Sequence, residues 1–201
     1  MAISIDNRDA LYENLLLMSL SICTYGNPVL RKKAVEVEQV NDAVHSLVDQ
    51  MLETMHREKG LGLAAEQVGR TERICVIDIP PESDMDADGV RENPEVDMPL
   101  VLINPRITAH SEEIQTGQEG CLSFPDIYAQ VERWYEVDAE YLDLSGTLKT
   151  LHAKGLLSRA IQHELDHLDA VLLVDRMSPV KRVAISGKLK RLAKQTKRAL
   201  I

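Results

Sequence analysis

The stretch AIQHELDHLD, residues 160–169, sets His163 and His167 four positions apart, with Glu164 directly after the first histidine. On a helix, residues i and i+4 lie one above the other on the same face. Two imidazoles so placed can grip one metal ion, and the carboxylate between them can handle protons beside it. A catalytic metal site of this kind takes three protein ligands and keeps one position open. The fold must therefore bring a third donor to this helix from elsewhere in the chain. The plainer alternative is a solvated, charged helix face whose histidines have nothing to do with each other.

A chain of 201 residues is long enough for one domain with its own core. Aromatics make up only 3%, so that core must rest on Leu, Val, Ile, Ala and Met. No apolar run approaches the roughly 18–20 residues that a membrane span requires. The opening MAISIDNRDALYENLLLMSLSIC places acids before its apolar stretch and is a poor signal or transit peptide. Residues 1–18 show no strong period and read as a loosely attached leader, with 19–201 as a single catalytic domain. Cys23, Cys75 and Cys121 are an odd three, widely spaced, which suggests free thiols in a reducing compartment and a cytoplasmic protein. The net charge of -9 conceals an asymmetry. Residues 178–201 hold eight Lys or Arg and no acid, leaving 15 basic against 32 acidic residues in the first 177. An acidic body with a basic tail is a directional electrostatic object.

Val44, Leu47, Val48, Met51, Leu52 and Met55 recur at helical spacing behind Asn41, a suitable N-cap, and predict a helix over 42–58 that ends at Gly60. His45 and His56 lie off that stripe and read as surface residues. The runs ICVIDI (74–79) and PLVLIN (99–104) predict strands. Alternation over 130–153 around LSGT predicts a hairpin turning near Ser145-Gly146. A helix carrying the opening motif starts near Leu156, and Ser178-Pro179 starts one last basic helix. The expected fold is α+β, with small antiparallel β-sheets around a central metal-carrying α-helix and a C-terminal basic helix.

No histidine follows His167, so the third ligand is not a downstream one of that type; Asp169 and Asp175 remain possible oxygen donors. Upstream, EGCLSFP (119–125) places Cys121 in loop-edge chemistry, where a thiolate is exposable. The alternative for any single cysteine is a small buried hydrophobe. A third segment, GLGLAAEQ (60–67), has glycines two apart that let a peptide backbone approach closely, and ends in the amide of Gln67.

Together these three segments resemble peptide deformylase. That family is marked by G-x-G-x-A-A-x-Q, then E-G-C-L-S, then H-E-x-D-H, and here they stand at Gly60–Gln67, Glu119–Ser123 and His163–His167. The resemblance runs from about Tyr25 to the last helix. It implies a hydrolase that removes the formyl group from the N-terminal formylmethionine of nascent polypeptides and releases formate. It implies Cys121, His163 and His167 as metal ligands, with water in the fourth place and Glu164 as the residue that takes and returns the proton. Gln67 and the backbone N–H of Leu122 would stabilise the oxyanion. The family prefers Fe(II) in cells and works with nickel or cobalt, more poorly with zinc; a thiolate and two imidazoles suit any of these. Leu156 and Ala160 share the helix stripe of His163 and His167 and would line the methionine pocket, unless they are ordinary core. Gly60, Leu61, Gly62, Glu119 and Gly120 would lie along the substrate, Gly60, Leu61 and Gly120 pairing with its backbone as an added strand does. Arg133 would pair with Glu119 to hold the Cys121 segment.

Departures from the family pattern fall at Phe124, Asp126, Ala129, Glu132 and Ala170. Residues 84–95, DMDADGVRENPE, satisfy a calcium-loop pattern, but the prolines around and inside it favour a solvated acidic loop between two strands. The basic tail is either a solubilising face or, as the resemblance implies, a ribosome contact through RNA phosphates near the tunnel exit. Neither DNA nor membrane is an expected partner. Removing 182–201 would then spare activity on a short peptide. The rivals are an H-E-x-x-H metallopeptidase and a catalytically silent metal-binding protein.

Overall fold

The computed structural model describes residues 20–200, so the leader expected over 1–18 lies outside the described residues. Helix α1, Asp42–Arg57, begins where the Asn41 side chain accepts hydrogen bonds from the N–H groups of Ala43 and Val44. It buries Val44, Leu47, Val48, Met51 and Met55, the stripe its spacing predicts. His45 and His56 are exposed, and His56 Nε2 lies 2.7 Å from Asp78. The helix ends at Arg57, three residues before the expected glycine. Lys59 takes the left-handed conformation (φ 57°), while the Gly60 N–H closes back on Met55 O.

Five strands form the main sheet: β1 Gly62–Ala64, β2 Ile74–Ile77, β3 Leu100–His110, β6 Glu136–Leu142 and β7 Leu148–Lys154, all antiparallel in the order β1-β2-β3-β6-β7. Two more, β4 Ile114–Glu119 and β5 Ala129–Trp134, pair only with each other. The single hairpin expected over 130–153 is therefore wrong in its first part. Its β6–β7 half turns at Gly146 (φ 76°), with Asp143 Oδ1 accepting from the Ser145 and Thr147 N–H groups. The stretch before it belongs to the other sheet, because period-2 alternation fixes a strand's buried face and not its partner.

Helix α2, Gly155–Leu168, lies across the main sheet. Leu157, Ile161, Leu165 and Leu168 pack into one cluster with Ala64, Cys75, Ile77, Leu102, Val137 and Ala153. The acidic loop after β2 is not merely solvated. Asp84 and Asn93 are buried and hydrogen-bonded to each other, and Asn93 bonds both backbone groups of Lys154 at the start of α2. Asp86 accepts from the N–H groups of Asp88 and Val90, so the loop spends these carboxylates on itself.

After the short helix α3, Leu173–Arg176, the basic tail forms two helices rather than one: α4 Pro179–Ala184 and α5 Ser186–Ala199, joined at Ile185. The Ser186-Gly187 pair is the weak point that admits the break. Helix α5 is packed as well as charged. Leu189 is buried beside Leu30, Phe124 and Ile127, Thr196 Oγ1 lies 2.5 Å from Thr24 Oγ1, and a β-carbon on Gly26 would come within 2.7 Å of Ala193.

Candidate metal centre and active site

The three segments converge. Cys121 follows β4 in a turn closed by Phe124 N–H on Cys121 O, and its Sγ lies 3.2 Å from His167 Nε2. One ligand atom from each of Cys121, His163 and His167 falls within 4.8 Å of the others. The two rings stand one helical turn apart, with centroids 5.2 Å apart. Among the described residues this is the one such group of three possible ligands; neither Asp169 nor Asp175 belongs to it, as Asp169 pairs with Arg73 and Asp175 with Arg31.

Glu119 organises the surroundings. Arg133 donates to both its oxygens (2.9 and 3.0 Å), Arg159 Nη1 donates to Oε1 at 2.8 Å, and His163 Nδ1 lies 2.9 Å from Oε2. The pairing of Arg133 with Glu119 is thus as the sequence suggested. Burial pushes the Glu119 carboxyl up, but the bonds from His163 and Arg133 outweigh it and hold it well below the usual carboxylate range. Glu119 therefore borders the cleft with its oxygens already engaged, and its geometry is that of a support for His163 rather than a substrate contact. Arg133 Nη1 continues the network to Asp166 at 2.6 Å.

The residues fit one divalent cation. Burial alone lowers the His163 pKa, yet Cys121 and Glu119 outweigh burial and raise it well above the ordinary value, so this corner favours positive charge. Burial, with His163 and Arg133 nearby, holds His167 well below its ordinary value and keeps it a neutral donor. A sulfur and two imidazoles suit Fe, Ni, Co or Zn alike.

Glu164 is buried, its Oε2 has no hydrogen-bond partner, and burial pushes its pKa up to about 7. Gly62 makes room for it. A β-carbon there would lie 2.4 Å from Glu164 Oε1, so this glycine serves the carboxylate and not only an approaching peptide. Gln67 sits in the turn after β1. Its Oε1 accepts from Ala64 N–H at 2.8 Å, and its Nε2 donates to Ser123 Oγ at 3.3 Å and to Cys121 Sγ at 3.5 Å. The Leu122 N–H donates to no acceptor among the described residues. All these groups border one cleft of about 600 Å³, which Gly60, Leu61, Gly120, Leu156 and Ala160 also line. Sequence reasoning missed Arg159, which lines the same cleft; its spacing of four from His163 on the same helix was the available signal.

Fold and site together define a class: a small α+β metal-dependent hydrolase, with one cysteine and two histidines placed where they could hold an ion and a carboxylate on the same helix as the histidines. The chain belongs to the polypeptide deformylase family, whose sequence model matches residues 19–183. A peptide deformylase of Orientia tsutsugamushi (strain Boryong) is 44% identical over 173 residues, covering 86% of this chain and 94% of that one. The crystal structure of peptide deformylase from Ehrlichia chaffeensis is similar at TM-score 0.78 and 37% identity, covering 91% of this chain and 99% of that one. A Synechococcus elongatus peptide deformylase in complex with actinonin matches at TM-score 0.71 and 40% identity, over 84% and 87% of the two chains. Members of the family are hydrolases that remove N-formyl groups; a metallopeptidase is not favoured. No described helix is long and apolar enough to cross a membrane.

Proposed function

We propose that this chain hydrolyses the formyl amide of N-terminal formylmethionine on nascent polypeptides, with Cys121, His163 and His167 as the metal ligands. The observation that carries this reading is the gathering of the three ligand atoms within 4.8 Å of one another, beside a cleft that Cys121, His163, Glu164 and Gln67 line. A divalent cation bound there, Fe(II) in the cell and nickel, cobalt or zinc as prepared, supplies Lewis acidity that draws the pKa of a water from about 15.7 toward about 7. Glu164 takes the water's proton on its unpartnered Oε2 and returns it to the leaving amine, a role that suits a pKa near neutrality. The Gln67 Nε2–H and the Leu122 N–H stabilise the oxygen of the attacked formyl group as it gains charge; one such donor is worth on the order of 3 kcal/mol. Glu119 holds His163 through Nδ1, which leaves Nε2 as the donor atom. The stretch from Gly60 to Gly62 that leads into the edge strand β1, with Gly120 opposite, receives the peptide backbone, and Leu156 and Ala160 border the methionine side chain.

The test is formate release from formyl-Met-Ala-Ser by nickel-loaded protein. Turnover that Glu164→Ala abolishes, without loss of metal, supports the reading. Cleavage of internal peptide bonds, or indifference to Cys121→Ser, overturns it.

Residues 19–201 act in this reading as one catalytic domain in the cytoplasm, and the cations of α5 meet ribosomal RNA phosphates. Helix α5 carries Lys188, Lys190, Arg191, Lys194, Lys197 and Arg198 without an acid. Because the helix also packs, charge reversal tests this better than truncation. Lys190→Glu with Lys194→Glu lowers co-sedimentation with ribosomes and spares the short peptide; unchanged sedimentation refutes the contact.

A further inference from the structure

Arg159 is a buried cation in the wall of the cleft that, in the proposed reading, takes the methionine side chain. It is 8% exposed and lines the cleft together with Leu156, Ala160 and His163. Its Nη1 donates to Glu119 Oε1 (2.8 Å) and Val131 O (3.1 Å), and its Nη2 to Gln115 O (3.1 Å). A guanidinium has five N–H groups. The Nε–H and the second Nη2–H have no acceptor among the described residues. Strand β4 accommodates the group: a β-carbon on Gly117 would lie 3.0 Å from both Cζ and Nη2.

Resting on the deformylase reading, we infer that Arg159 is a specificity residue that extends the substrate range from formylmethionine to formylmethionine sulfoxide. A thioether is a weak acceptor and asks little of such a donor. Oxidation makes the same side chain polar, and an apolar pocket rejects it because a buried dipole without a partner is costly. Arg159 supplies that partner through an N–H the protein leaves unused. The reaction is unchanged: water adds to the formyl carbon, the C–N bond breaks, and formate and a free amine leave.

The experiment compares kcat/KM for formyl-Met-Ala-Ser and its sulfoxide counterpart, using nickel-loaded wild type, Arg159→Met and Arg159→Lys. Wild type should process the sulfoxide within about tenfold of the thioether. Arg159→Met should lower the sulfoxide-to-thioether ratio roughly 10- to 100-fold, the range of one hydrogen bond to a charged group. Arg159→Lys should restore part of it. Calorimetric binding of the product peptides Met(O)-Ala-Ser and Met-Ala-Ser should move in the same direction. A purely structural role through Glu119 would depress both substrates equally, so an unchanged ratio in Arg159→Met overturns the inference. Discrimination of more than about a hundredfold against the sulfoxide by wild type overturns it without any variant. Failure of wild type on both substrates sinks the deformylase reading itself, a separate outcome.

Discussion

Glu164 and the residue at position 62 share one small volume, and the chain resolves the conflict by having no side chain at 62. Gly62→Ala should therefore displace the carboxylate. The expected result is a fall in kcat of at least about tenfold, toward the 10²–10⁴-fold that a positioned acid–base group contributes, with metal content intact; unchanged turnover would contradict the packing argument. A second acid, Glu66, lies in the same turn as Gln67. It is fully buried in the turn between Ala65 and Val68, with neither oxygen partnered, and burial pushes its pKa from 4.5 up to about 8. Between those values the unfolded chain is ionised there while the folded one keeps its proton. The folded state then binds more protons, so this group's effect is a loss of stability as pH rises from about 4.5 to about 8. Glu66→Gln should be more stable than wild type by a few kcal/mol at pH 8 and nearly equal at pH 4.5. Denaturant midpoints across that range decide it, and a difference that does not grow with pH rules it out.

The element that changes most between sequence and structure is the C-terminal tail. Helix α5 seals a cluster that includes Leu30, Phe124 and Ile127, and Phe124 lies three residues from Cys121. Deleting 182–201 would strip that seal, so the expectation that truncation spares activity is withdrawn. Leu189→Ala should cost about 2–4 kcal/mol, whereas the exposed Lys190→Glu should cost less than about 0.5 kcal/mol; equal denaturant midpoints for the two variants would show that α5 is not packed. Helix α1 was legible because a 3.6-residue period marks its buried face and Asn41 marks its start, and α2 through the i, i+4 spacing of His163 and His167. The candidate ligands were legible because only a few side chains bind transition metals. What stayed hidden had physical reasons. Alternation does not choose between two sheets, so β5 was joined to the wrong hairpin. Asp84 read as part of a solvated loop, and nothing in the sequence marks Glu66 or Arg159 as buried, because charged groups are seldom fully buried; only the fold shows the partners of Asp84 and Arg159.

At the scale of the molecule, three segments forty or more residues apart, 60–67, 119–123 and 163–167, have to meet. The two sheets and the helix bring them together: β1 at the edge of the main sheet carries the first, β4 of the smaller sheet delivers the second, and α2 lies across the main sheet with the third. The buried Arg133–Glu119 pair ties the second segment to His163 and, through Asp166, back to the ligand helix. The proposed centre is one sulfur and two ring nitrogens holding a single ion. X-ray absorption at the metal edge of nickel-loaded protein measures that shell directly. The predicted spectrum has one sulfur and two imidazole nitrogens, with the sulfur lost in Cys121→Ser; a shell of nitrogen and oxygen alone in the wild-type protein would contradict it.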